Sequence, residues 1–193
     1  MDAGTKRGLA ALKFVIDANA SRFTVQAFAT GLLSSFGHNP TIGIRDFSGE
    51  MECEPETYNN ARVHVTVRTA AMEVLDEMKS DDRRKLEQEM NGTVLEIDRF
   101  PEVAFDSKQI SIQKLGADLL RAQVAGDLTF HGTTQALSFD ARVTRMADML
   151  RISGEFPLRQ SEYGIKPFSA AGGTLKLKDE IKFSFELVAR KQD

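Results

Sequence analysis

A chain of 193 residues, 41% of them hydrophobic and with a net charge of −3, is long enough for one domain with a substantial core and needs no disulfide or metal staple. Its 25 Lys and Arg are outnumbered by 28 Asp and Glu, which argues against a nucleic-acid partner, because phosphate binding needs a concentrated basic face. The lone cysteine, Cys53, excludes an intramolecular disulfide framework, and no apolar run is long enough to predict a transmembrane helix.

Residues 1–11 carry Lys6 and Arg7 but no apolar stretch, and read as a flexible N-terminal segment without a visible signal peptide. The localisation expected from the chain as written is cytoplasmic, and periplasmic if a signal peptide has been removed. From residue 12 to residue 190 the dominant signal is period two, and a single β-barrel domain is expected over that span. Phe14 and Ile16 alternate with Lys13, Val15 and Asp17, and Phe23, Val25 and Ala27 alternate with Arg22, Thr24 and Gln26. A helical or irregular stretch is expected from Ala29 to Phe36. Alternation returns at Val63, Val65 and Val67, which predicts strands with one apolar and one wet face, as in antiparallel sheets.

From Ser80 to Met90 the pattern changes. The stretch lacks β-branched residues, Ser80, Asp81 and Asp82 are N-cap candidates, and Asn91-Gly92 supplies a stop. A helix of about three turns is predicted, with Leu86, Met90, Met78 and Leu75 forming one apolar stripe. Beyond it, His131-Gly132-Thr133-Thr134 reads as a hairpin loop between Asp127–Phe130 and Ala136–Val143. Met146 to Met149 marks another turn. Lys178-Asp179-Glu180 is read as a link to the last strand, whose apolar face is Ile181, Phe183, Phe185 and Leu187. One short helix cannot cover so many apolar strand faces, so the sheet is expected to close on itself. The predicted fold is an all-β antiparallel barrel of about eight strands with one flanking helix, whose lumen either is filled or holds one slender ligand.

Catalytic signatures are absent from the sequence: it has no G-x-S-x-G elbow, no P-loop and no G-x-G-x-x-G. Cys53 sits between Glu52 and Glu54, which raise a thiol pKa rather than activate it. His38, His64 and His131 share no metal-ligand spacing, so neither a metal nor a cofactor is expected. An enzyme or metal site based on His38, which follows the apolar Leu32, Leu33 and Phe36, is a third reading beside the two that a barrel lumen allows.

Four stretches resemble the YceI-like family of lipocalin-like bacterial polyisoprenoid-binding proteins: Phe47-Ser48-Gly49-Glu50, Phe100 to Ser107, Ala125 to Thr134, and Arg159 to Ile165. They occur in the family's order around a helix in the family's place, and the likeness spans nearly the whole chain. The resemblance implies a lipocalin-like barrel with an elongated apolar tunnel for a polyisoprenoid, quinone or fatty-acyl chain, and a homodimer. The segment Ala29–His38 is longer than the family's usual stretch there, and packed over the tunnel mouth it would gate the site. On strand alternation the expected lumen residues are Phe23, Val25, Phe47, Val65, Val67, Phe105, Leu128, Phe130 and Phe139. Leu32, Leu33 and Phe36 are expected at the mouth, and His38, Arg45 and Tyr163 are candidates for a polar head group. The competing expectation is a filled barrel that works through its surface as a structural or interaction module.

Overall fold

The computed structural model describes residues 11–30, 39–55, 57–170 and 175–192, leaving the side chains of Ala170 and Leu175 aside. Among the described residues, alternating apolar residues give twelve strands. The first six are β1 (Leu12–Ile16), β2 (Arg22–Thr30), β3 (Thr41–Ile44), β4 (Phe47–Cys53), β5 (Arg62–Arg68) and β6 (Met72–Val74). After helix α1 (Ser80–Glu89) come β7 (Glu102–Lys114), β8 (Leu119–Phe130), β9 (Thr133–Met146), β10 (Met149–Arg159), the two-residue β11 (Ser169–Ala170) and β12 (Leu175–Lys191).

Every pairing is antiparallel, and the ladder closes through β1, β4, β5, β7, β8, β9, β10 and β12, with β12 returning to β1. Three of these eight staves continue past a kink: β1 into β2, β4 back into β3, and β5 into β6. Beyond the kinks β12 pairs with β2, β2 with β3 and β3 with β6. The fold is therefore a closed, meandering, lipocalin-like barrel of eight staves. At the first kink Asp17 and Ser21 repair the interrupted ladder. The Asp17 side chain accepts from the backbone N–H of Ala20 at 3.2 Å, and Ser21 Oγ accepts from Val188 N at 2.9 Å. At the third, Thr69 is almost fully buried; its hydroxyl donates to the Phe100 carbonyl at 2.9 Å, so the buried polar group is satisfied.

Helix α1 stands where the wall has a gap. Strand β6 pairs with β3 on one side but not with β7 on the other. There the Glu87 carboxylate accepts from Val74 N at 2.9 Å, and Arg83 donates to the Asp76 carbonyl at 2.8 Å. Asp81 and Asp82 occupy the first turn, where they favour the helix dipole. The N-cap is Lys79 rather than Ser80 or an aspartate, and it makes no side-chain cap bond. Asn91-Gly92 does not stop the chain's coiling at once: a widened turn runs from Met90 to Val94.

Two other expectations change. Lys178-Asp179-Glu180 is not a link but part of the continuous β12, which bulges between Leu177 and Ile181 against β2. The strand expected from Asp127 begins at Leu119. The hairpin at His131-Gly132 is as expected. Both residues have positive φ (49° and 72°), as a two-residue type I′ turn requires, and a Cβ on Gly132 would come within 2.6 Å of the Phe100 ring.

Candidate functional site

The inward faces of the barrel strands enclose a cavity of about 170 Å³. Its wall is apolar apart from Glu52 and Arg62, the last pair of the β4–β5 ladder. Around its middle runs a band of phenylalanines. Phe105 lies 5.6 Å from Phe139, Phe139 stacks on Phe156 at 5.0 Å, Phe156 on Phe183 at 5.1 Å, and Phe183 meets Phe23 edge-on at 6.0 Å. These geometries are the favoured ones for aromatic pairs. Inward-facing glycines give the rings room against the wall. Gly126 lies under Phe105 and Gly154 under Phe185, and a Cβ at either position would collide with the ring.

A second cavity of about 90 Å³ lies toward the helix end of the barrel, bordered by Val25, Ala27 and Ile42 on one side and by Leu86 and Met90 on the other. Its polar neighbour is Gln160, buried, with its amide donating to the Lys178 carbonyl at 3.0 Å. The opposite end of the barrel is covered by the β4–β5 loop. Tyr58 borders the larger cavity there, and the Arg145 guanidinium sits 5.5 Å over its ring.

Of the residues expected in the lumen, Phe23, Val65, Val67, Phe105, Leu128, Phe130 and Phe139 border the larger cavity, and Val25 borders the smaller. Phe47 is buried and meets Phe23 edge-on at 5.9 Å without bordering either. Arg45 sits at the exposed kink between β3 and β4, held by Glu73 at 2.5 Å, on the outside of the barrel. Tyr163 is buried behind Phe130, ring centroids 5.5 Å apart, and borders neither cavity. Burial, with a smaller contribution from Glu162, pushes its phenol pKa up. Neither Arg45 nor Tyr163 therefore borders a cavity wall in this structure. Leu32, Leu33, Phe36 and His38 lie outside the described residues, as do residues 1–10.

Sequence reading missed Ile110 and Ile112 on β7, Leu120 and Val124 on β8, and Met72 on β6, all of which border the larger cavity. On β7 the register shifts between Ser107 and Gln109. One extra residue there moves the inward face from Val103 and Phe105 to Ile110 and Ile112. The alternation of Leu120, Ala122, Val124 and Leu128 was available, but small Ala122 and Gly126 blur it.

Other reactive groups stand away from the lumen or are quiet within it. His64 is exposed on the outer face, its Nδ1 2.7 Å from Asp106 and its Nε2 3.1 Å from the Thr66 hydroxyl. His131 is nearly buried against Phe100, with Nε2 3.1 Å from Glu96 but not aligned for a hydrogen bond. Cys53 borders the larger cavity, and burial pushes its thiol pKa up to about 11. The cause is desolvation rather than the flanking glutamates. Among the described residues no group of three His, Cys, Asp or Glu side chains is placed to hold a metal, and no helix is long and apolar enough to cross a membrane.

The family model of the YceI-like domain matches residues 14–189. No curated protein matches the chain. Among solved structures, BcnA of Burkholderia cenocepacia superposes with a TM-score of 0.69 at 16% identity, covering 90% of this chain and 98% of that one. A polyisoprenoid binding domain from Saccharophagus degradans, implicated in plant cell wall breakdown, gives 0.68 at 12% identity over 94% of this chain and 99% of the other. The YCEI protein of Campylobacter jejuni gives 0.64 at 16% identity, over 81% and 88%. At these identities the structural likeness establishes the shared fold.

Proposed function

This chain belongs to the YceI-like domain family, and from that premise we propose that it binds a long apolar ligand, a polyisoprenoid, quinone or fatty-acyl chain, in the barrel lumen. The observation that carries the reading is the wall of the larger cavity, to which every stave contributes apolar side chains. A dry apolar void of roughly 150 Å³ already accepts a benzene-sized molecule, and this cavity is of that size before any side chain moves. The name of the Saccharophagus neighbour points to the same ligand class. Binding rather than catalysis is the reading, and it suits a carrier. An isoprenoid gains about 0.8 kcal/mol per buried CH₂ relative to water. It gains little relative to a membrane, where it is already out of water, so release into a bilayer costs little.

One observation favours a second reading. The stacked phenylalanines pack ring on ring inside the barrel, as the core of a filled barrel that acts through its surface would. Native mass spectrometry of the purified protein, followed by organic extraction, separates the two. A mass shifted by a prenyl, quinone or acyl species supports the carrier; a bare protein that also takes up no added chain supports the filled barrel. The same spectrum reads whether the protein is a homodimer, as expected for the family.

A further inference from the structure

The two cavities adjoin, and three side chains border both: Met72, Phe130 and Phe183. Two of the three are braced. Phe130 rests on Tyr163 with ring centroids 5.5 Å apart, and Phe183 is held between its stacking partner Phe156 at 5.1 Å and the edge of Phe23 at 6.0 Å. Met72 is different in kind. Its unbranched thioether turns about three bonds and re-packs more readily than an aromatic ring. It sits just past the third kink, where β5 gives way to β6.

We propose that Met72 is the length-determining residue of the lumen. A short apolar chain ends at the partition and fills the larger cavity alone. A longer one threads past a displaced Met72 into the smaller cavity beneath α1, against Leu86 and Met90. Among the described residues the smaller cavity's one side-chain amide, on Gln160, already donates to the Lys178 carbonyl. The smaller cavity has about half the volume of the larger, 90 Å³ against 170 Å³, so a ligand longer by one isoprene unit is the sensitive probe. The proposal rests on the lumen-binding reading and adds to it the residue that sets which chains fit.

The test measures dissociation constants of farnesol and of geranylgeraniol, one isoprene unit longer, for the wild type, Met72→Ala and Met72→Phe. The expected result is that the preference for geranylgeraniol over farnesol rises about tenfold in Met72→Ala and falls below the wild-type value in Met72→Phe. Both substitutions disturb packing, so a merely structural role would move the two preferences the same way or not at all. Met72→Val, a smaller truncation with the branching a strand favours, keeps the test open should Met72→Ala not fold. A wild type that binds both alcohols, with one preference shared by all variants, overturns the role of Met72 and leaves lumen binding standing. A wild type that binds neither alcohol overturns the proposal, and one that also takes up no quinone or fatty acid overturns the lumen reading with it.

Discussion

The rings of Phe156 and Phe183 are stacked, 5.1 Å between centroids and 7° between planes, on residues directly opposite each other in the β10–β12 ladder. Both rings face the lumen, so the pair contributes to the barrel wall and to the ligand surface together. A stacked aromatic pair is worth about 0.5–1.5 kcal/mol beyond the area it buries. A double-mutant cycle with leucine at each position, followed by urea denaturation, should return a coupling of that size. Strict additivity would mean that burial alone accounts for the two rings.

Gly154 faces inward between Ile152 and Phe156. A methyl group there would fall 2.6 Å from the Phe185 ring and 2.8 Å from the Asp140 carbonyl oxygen. The ring can turn, but the carbonyl belongs to the neighbouring strand and cannot. Gly154→Ala should therefore lose about 1–3 kcal/mol of stability, read as a lower melting temperature. An unchanged melt would show that β9 yields more than a paired strand should.

Val67 borders the larger cavity, with Phe47 opposite it on β4 and Val103 opposite it on β7. Val67→Trp should fill the lumen and abolish uptake of a prenyl or acyl chain while circular dichroism stays native. Unimpaired uptake by the folded variant would place the ligand elsewhere.

Much of this barrel could be read from sequence, and the failures share a cause. The apolar faces of β9 and β12 were legible because Phe139, Ala141, Val143 and then Phe183, Phe185, Leu187 keep strict alternation and all point inward. Alternation says nothing at a break in it. Arg45 lies at a kink and Tyr163 in a short turn after β10, so neither orientation followed from a strand phase. Lys178-Asp179-Glu180 looked like a turn because three charges interrupt the pattern. In a bulged strand they stay outside the core, and the Asp179 carboxylate accepts from the Ser161 hydroxyl. The smaller cavity was invisible for a further reason: Met72, Leu86 and Phe183 come from a short strand after a kink, a helix and the last strand, which no single period relates.

Acid should weaken the barrel through its paired carboxylates. A hydrogen bond from Arg190 holds Asp17 below the usual carboxylate range, Arg121 does the same for Asp140, and the Ser161 hydroxyl for Asp179. A folded pKa below the ordinary value of 3.8 means these bonds contribute fully at neutral pH, and the contribution is lost as pH falls below that value. The melting temperature should be level near neutrality and drop below about pH 4. Asp17→Asn keeps an acceptor for the Ala20 N–H and removes only the charge, so it should lower the neutral melting temperature and flatten the acid limb. An unaltered acid limb would assign acid sensitivity to the other carboxylates.

The Cys53 thiol should be inert in the folded protein. Its pKa of about 11 leaves almost no thiolate at pH 8, and the thiolate is the nucleophile. Ellman's reagent should react slowly in buffer and at once in denaturant. Rapid reaction in buffer would reveal frequent opening of the barrel end near the β4–β5 loop.

The gap beside β6 bears on how this protein avoids its own copies. A strand with a free ladder edge is a template on which another chain can add, and closed barrels escape that hazard by having no edge. Here closure fails over the three residues of β6, where the ladder stops at β3. The Val74 N–H, which an incoming strand would use, is already taken by the Glu87 carboxylate from α1. Glu73 between the two buried residues adds a charge, paired with Arg45 across the β3–β4 kink. The helix thus acts as a blocking group for an unfinished sheet, and losing the Glu87 carboxylate would expose a site for strand-to-strand aggregation.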